Sequence, residues 1–499
     1  MIENVLIVGA GSAGLLAAIA LKRKIPALVV QVVRSQEIGV IGVGESTTRQ
    51  LPRFLFEYLG ISKKHFYSIA NPTWKMGIHF IWGPRDCFEY SFDFALDAQW
   101  SDLPLPNGYY CAEDFSYVNL QGAFMAEGKA FARQPNGGGP GIPSWAAFHL
   151  YNPQFVASLE VVAKTLGVEF IDANLTGATR RGDEIESVVL KDGRTLRADL
   201  FVDASGFRSE LLGKALAEPF VSYDNSLFCD RAIVGSWERG DDFIYPYTVA
   251  ETMDAGWCWR IDHEHSVNRG YVYSSRFLSD EAAREEFMRK NPKATPWDRV
   301  VKFRSGRYRR GWVGNVVGLG NACGFVEPLE ATALMAVCGQ VQTLTDFLLH
   351  SQQSLAPTLV ELYNRVFAET WDDIRDFLAL HYRFNTRLNT PFWKCCNEEV
   401  DISGTTELLK FYRENGPTGL CRHALRNTPG THNQFGIEGY LVMLVGNRVP
   451  YRERRPPTEK ERQIWNRHRA DNKALARQGM CVQEALACIK DPRWKWFGE

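Results

Sequence analysis

The chain opens "MIENVLIVGAGSAGLLAAIALKRK", and no other stretch limits its fold as strongly. Val5 to Val8 make a short apolar strand, Gly9, Gly11 and Gly14 give G-x-G-x-x-G, and Leu15 to Leu21 continue as helix. These glycines permit a tight turn, close approach of backbone to a pyrophosphate, and close packing of helix on strand. The helix start, with Ser12 and Ala13, offers free N–H groups and the positive dipole end to phosphates. A strand, glycine turn and helix in this order point to dinucleotide binding rather than to a merely structural turn. One piece departs from the pattern. The acid expected about 20 residues on, which would hold the ribose hydroxyls, is replaced by Arg34 in "VVQVVRSQE", with Glu37 three residues late.

Two later segments repeat the strand–turn–helix logic. "TLRADLFVDASGFRSEL" (195–211) ends a strand in Asp203 before a small-residue turn. "NVVGLGNACGFVEPLEATALMAVCGQVQTLTDFLL" (315–349) runs strand, glycine turn at Gly320, then a long helix. With the first segment they outline one discontinuous FAD-binding α/β module over 1–50, 150–215 and 310–350, the Rossmann-like pattern of FAD-dependent oxygenases. Residues 51–149 and 216–309 are then an interleaved, sheet-containing substrate module, and 351–499 a mostly helical region covering it. No second G-x-G-x-x-G occurs, so electrons are expected from a separate flavin reductase.

At 499 residues, 45% hydrophobic and 23% charged, the composition is that of a soluble globular protein. A net charge of −1 gives no electrostatic case for nucleic acid or an anionic membrane. The basic stretch "RERRPPTEKERQIWNRHR" is diluted by glutamates and reads as a solvated face. No run approaches a membrane span and the chain opens directly into a strand, so a cytoplasmic location is expected. Eleven scattered cysteines without a C-x-x-C read as reduced thiols.

A second feature is a lysine, Lys75, opening the apolar segment "NPTWKMGIHF". By itself it reads as a surface residue at a strand start. Five stretches together change that reading: "GAGSAG" (9–14), "GVGEST" (42–47), "PTWKMGIHF" (72–80), "GWCWRI" (256–261) and "GFVEPLEATAL" (324–334). On these, the chain resembles the flavin-dependent halogenases, the tryptophan-halogenase type in particular. The resemblance implies an enzyme in which reduced FAD and O2 oxidise chloride or bromide to hypohalous acid, which travels through a tunnel to a lysine beside the substrate. Lys75 matches that lysine. Glu330 matches the carboxylate that stabilises the ring cation or takes its proton, and Glu327 is its rival.

The resemblance also implies a halide held by the backbone N–H groups of Thr332 and Ala333, just after Pro328, a residue suited to a helix start. The family commonly has Ser where this chain has Ala331, and Gly where it has Ala333. The loop Gly42, Gly44, Glu45, Ser46 and Thr47 resembles the strap between flavin and substrate chambers, with hydroxyls to donate to the cofactor. Trp257 and Trp259 share one side of a strand, pack the core, and in the family shield substrate from flavin. Asp262, His263 and His265 follow; two histidines on one strand face raise a metal, but no companion motif supports zinc, and no metal is expected.

The substrate implied is a small electron-rich aromatic, tryptophan or another indole first, with pyrrole, phenol and carrier-bound substrates open. The alternatives are an FAD-dependent aromatic hydroxylase on the same fold, which needs neither Lys75 nor a halide turn, and a catalytically silent flavin-binding protein. A homodimer is left open.

Overall fold

The computed structural model describes residues 1–35, 44–93, 100–105, 108–111, 115–135, 138–425, 435–453 and 455–496. The chain divides into two compact units, each of three segments. The first comprises Met1–Pro72, Leu150–Asp224 and Phe303–Asp372, the second Thr73–His149, Asn225–Lys302 and Asp373–Glu499.

The first unit is built on a six-stranded sheet in the order Trp312–Val313, Val316–Gly318, Leu200–Asp203, Asn4–Val8, Val29–Arg34, Glu169–Asp172. Only the edge pair Trp312–Val313 with Val316–Gly318 is antiparallel. The interior strands are apolar on both faces: Leu6, Ile7, Phe201, Val202, Val316 and Val317 are fully buried. This is the pattern of a parallel sheet covered on two sides. Helix Ser12–Lys24 is buried from Gly14 through Leu21 rather than along one stripe. It packs against helices Asn152–Thr165 and Thr332–His350 as well as against its own strand, which leaves no solvent face. Its last turn, Lys22, Arg23 and Lys24, offsets the negative end of the helix dipole.

The second unit carries a larger sheet. Its order is Thr295–Pro296, Arg231–Glu238, Ser266–Tyr273, Gly256–Asp262, Thr248–Met253, Gly77–Ile81, Phe88–Ser91, with Val301–Lys302 also on Arg231–Glu238. All pairs are antiparallel except Thr248–Met253 with Gly77–Ile81. Ala283 and Phe287 of helix Asp280–Lys290 join Ile233, Met253, Tyr271 and Tyr273 in one buried cluster. A short strand, Thr73–Lys75, pairs antiparallel with Ala147–Leu150. Helices Pro391–Glu399, Thr406–Asn415, Gly436–Gly446, Glu459–Arg477 and Val482–Lys490 make the C-terminal part helical, as expected. Helix Glu459–Arg477 starts on a capping box between Thr458 and Glu461 and packs against Leu120–Ala126. Among the described residues, no helix is long and apolar enough to cross a membrane. The architecture is the expected α/β one.

Candidate active site

In the first unit, three strands end level. Val8 lies beside Asp203, and Asp203 beside Gly318, in parallel register. Ala204 N donates to Val8 O at 2.9 Å, and Leu319 N to Asp203 O at 2.9 Å. The glycine turn, the Asp203 turn and the Gly320 turn therefore open on one sheet edge, where parallel α/β sheets bind ligands. The glycines of the first turn differ physically. A Cβ on Gly9 would lie 2.3 Å from Ala204 O, and one on Gly14 2.0 Å from Gly9 O, so both are fixed by packing. A Cβ on Gly11 would meet nothing within 4 Å. Gly11 faces open space at the start of helix Ser12–Lys24, where no side chain caps the Ser12 and Ala13 end. Gly320 has φ +57, and a Cβ there would approach Ala13 Cβ to 3.3 Å. An uncapped helix start beside an open glycine fits the pyrophosphate of a dinucleotide.

Both carboxylate oxygens of Asp203 accept hydrogen bonds from the chain itself. One oxygen accepts from Ser205 N and Oγ, the other from Leu211 N and Leu212 N at 2.8 and 2.9 Å. Burial raises its carboxyl above the ordinary range, against the pull of these donors. Its role is to hold the turn. Arg34, standing where a ribose-binding acid was expected, pairs with Glu160 and Asp172, each at 2.6 Å. Glu37 and Gly42 lie outside the described residues.

Of the strap, Gly44 has φ +72, and Thr47 is fully buried while Ser46 is half-buried. Glu45 Oε2 is buried with no hydrogen-bond partner. Burial lifts the Glu45 carboxyl to about 7, although a bond from Asn152 pulls the other way.

Also in the first unit, Pro328–Glu330 forms a single 3-10 turn, and Ala331 at φ 56, ψ 37 leads into helix Thr332–His350. Glu327 and Glu330 are both buried. Ala331 has no side chain to cap the helix, so Thr332 and Ala333 present first-turn N–H groups. Thr332 Oγ1 is buried without a partner. A helix start with a polar atom to spare fits a small anion.

In the second unit, Lys75 is 0% exposed, which overturns the surface reading. Its Nζ sits 4.9 Å from the centre of the Phe92 ring. His149, which the sequence reading did not single out, belongs with it. Its Nε2 lies 2.8 Å from Thr248 Oγ1, and its Nδ1 is buried without a partner. Burial, then the charge of Lys75, drive the His149 pKa well below the ordinary value, so the imidazole is neutral. The signal in the sequence was a histidine amid the otherwise apolar strand "AFHL".

Trp257 and Trp259 lie on one face of strand Gly256–Asp262, both buried, with ring centres 6.0 Å apart. Trp259 lies over Gly270 of the next strand, where a Cβ would fall 1.9 Å from its ring. The histidines after them do not share a strand face: the strand ends at Asp262, His263 is buried, and the His265 side chain is 86% exposed. The Asp262 carboxylate is taken by Arg239 at 2.8 Å and Arg260 at 3.1 Å.

Residues 4–461 match the family model described as tryptophan halogenase. Tryptophan 7-halogenase RebH of Lentzea aerocolonigenes is 32% identical over 443 residues, 83% of this chain and 82% of that one. Tryptophan 6-halogenase ThaL of Streptomyces albogriseolus is 31% identical over 452 residues, 84% and 83% of the two chains. Among solved structures, MibH, a lanthipeptide tryptophan 5-halogenase, superposes with a TM-score of 0.86 at 37% identity, covering 98% of this chain and 93% of that one. BrvH, a flavin-dependent halogenase from Brevundimonas sp. BAL3, gives 0.83 at 27% identity over 98% and 99%.

Proposed function

The chain belongs to the tryptophan halogenase family and is a flavin-dependent halogenase; from that premise we propose that it places chlorine or bromine on an indole carbon of tryptophan, free or within a peptide. The indole is common to the relatives named for free tryptophan and for a lanthipeptide. Their names give carbons 5, 6 and 7, so position is set outside the motifs they share.

The observation that carries the reading is the full burial of Lys75 at the family's lysine position. Burying an ionisable amine completely is costly, which marks Lys75 as a functional rather than a surface lysine. Its N–H donates to the oxygen of hypohalous acid, which draws electrons from the halogen. The ring carbon then takes the halogen, the O–X bond breaks, and the oxygen takes the proton offered by the Lys75 ammonium and leaves as water. Neutral His149 accepts no proton at this end of the strand pair and adds no second positive charge beside the lysine. The Glu330 carboxylate takes the proton the ring carbon must lose.

Bound FAD, delivered reduced, supplies with O2 the oxidising power that turns halide into hypohalous acid. The pyrophosphate is held at Gly9, Gly11, Ser12, Ala13 and Gly14, beside Gly320. Gly44, Ser46 and Thr47 border it, and Asp203 fixes the neighbouring turn. Halide is held by the N–H groups of Thr332 and Ala333. A separate reductase supplies the reduced flavin, consistent with one G-x-G-x-x-G in the chain.

The test is mass spectrometry of products from the full chain with FAD, a flavin reductase and catalase. Free tryptophan, a tryptophan-containing peptide and indole are each offered with chloride, bromide or neither. Saturable, halide-dependent product is expected, with bromide at least as effective as chloride because it is easier to oxidise and to desolvate. Hydroxylated product without halide, unchanged by bromide, overturns the proposal in favour of a hydroxylase.

A further inference from the structure

A second group of chemically competent side chains lies outside the machinery described so far. Strands Gly77–Ile81 and Phe88–Ser91 form a hairpin in which His79 stands directly opposite Glu89. Cys87 immediately precedes the second strand. One ligand atom from each of His79, Cys87 and Glu89 lies within 4.8 Å of the others. We propose that these three residues bind a thiophilic divalent cation of the size of zinc, with water as the fourth ligand.

Donor chemistry is the first argument. Thiolate, imidazole and carboxylate together are the set that zinc takes, and three protein ligands leave one position open. Geometry is the second. Bond lengths of about 2.0–2.1 Å to nitrogen and oxygen and about 2.3 Å to sulfur require tetrahedral edges of roughly 3.3 Å between N and O and roughly 3.6 Å to S. His79 Nδ1 and Glu89 Oε1 are 3.2 Å apart, already at the required edge. The thiol has to close by about 1 Å at most, within reach of one side-chain rotation.

Preorganisation is the third argument. The His79 ring is stacked on Tyr247 at 5.2 Å and 24°. The loop that delivers Cys87 is tied down from the helical region: Gly83 N donates to Asn385 Oδ1 at 2.9 Å, and Arg387 Nη1 to Arg85 O at 2.7 Å. Cys87 is the one cysteine of the eleven that is exposed rather than buried or half-buried, so the metal has a way in. The His79 and Glu89 side chains are 19% and 13% exposed. That shields the other two ligands from water.

The groups around His79 are Cys87 and Glu89 of its own hairpin and Tyr247 of the stack; Glu89 also acts on Tyr117. Metal binding displaces any protons its ligands carry, and nothing is oxidised or reduced.

The experiment titrates cobalt(II), then zinc(II), into the reduced, chelator-treated full chain. One equivalent of cobalt should give a thiolate-to-metal absorption band and tetrahedral visible bands, both erased by zinc. Cys87→Ser should lose the thiolate band, and His79→Gln and Glu89→Gln should weaken zinc binding at least about tenfold, since even outer-shell losses cost that much. Zinc should also protect Cys87 from iodoacetamide. Cys87→Ser alters an exposed side chain, and unchanged FAD binding verifies its fold. Absence of the thiolate band, zinc content indifferent to Cys87→Ser and His79→Gln, or equal alkylation with and without zinc each overturns the site; the last would leave a plain reactive thiol beside a histidine.

Discussion

Lys75 and His149 project from paired strands to the same face: Lys75 is opposite Ala147, and His149 is opposite Thr73, one strand repeat away. Burial first, and then the neighbouring Lys75, keep the imidazole neutral. The pair is a fully buried lysine with a polar but uncharged neighbour.

Lys75→Ala is expected to abolish halogenated product while leaving FAD affinity unchanged. Lys75→Met, which keeps the length and removes the buried charge, should be as stable as the parent or more so. Product mass spectrometry with catalase present and thermal melts check both. Halogenation surviving in either variant removes Lys75 from the reaction.

Glu330→Gln should slow turnover by about one to four powers of ten, the range for losing a general base that also stabilises charge. Glu327, three residues earlier and equally buried, is the control. If single-turnover rates fall steeply for Glu327→Gln and little for Glu330→Gln, the two roles are exchanged.

Gly11→Val separates binding from folding. No chain atom lies within 4 Å of the new Cβ and the backbone there is extended, so the variant should melt like the parent. Its side chain would still occupy the phosphate approach, so FAD retention after desalting should be lost. Gly14→Val, by contrast, should fail to fold, because its Cβ would overlap Gly9 O. A flavin-loaded Gly11→Val refutes the phosphate turn.

The turns were legible in the sequence because glycine spacing and a strand's last residue encode a sheet edge locally. "GAGSAG", "FVDASG" and "VVGLG" do end on adjacent strands. What each side chain does there was not, because its partners are remote in the chain. Asp203 is consumed by amides eight and nine residues on, and Arg34 by acids more than a hundred residues away. The His79–Cys87–Glu89 group has no motif spacing and arises only when a hairpin sets its register. His263 and His265 looked like face-sharing neighbours because their strand was read three residues too long.

The Glu45 carboxyl predicts a pH effect. Its folded pKa, about 7, exceeds the ordinary 4.5. The unfolded chain therefore ionises first as pH rises. The stabilising contribution is full below about pH 4.5 and is lost as pH climbs through about 7. Glu45→Gln should escape that loss and gain on the parent by up to about 3 kcal/mol between about pH 5 and about pH 8. Urea unfolding of the flavin-free proteins at both pH values measures it; a pH-independent difference would contradict the shifted carboxyl.

The chain passes between its two units five times, at 72–73, 149–150, 224–225, 302–303 and 372–373. Strand Leu200–Asp203 needs Asn4–Val8 on one side and Val316–Gly318 on the other. A nascent chain thus carries an open sheet edge until residue 318 has been made, which favours slow completion and chaperone dependence. Recombination faces the same obstacle. Exchanging the whole second unit for that of a relative takes five simultaneous junctions, and a single splice at the second or third of them leaves both units with strands of mixed parentage. In such a chain, new substrate range is reached by replacing side chains one at a time, not by trading domains.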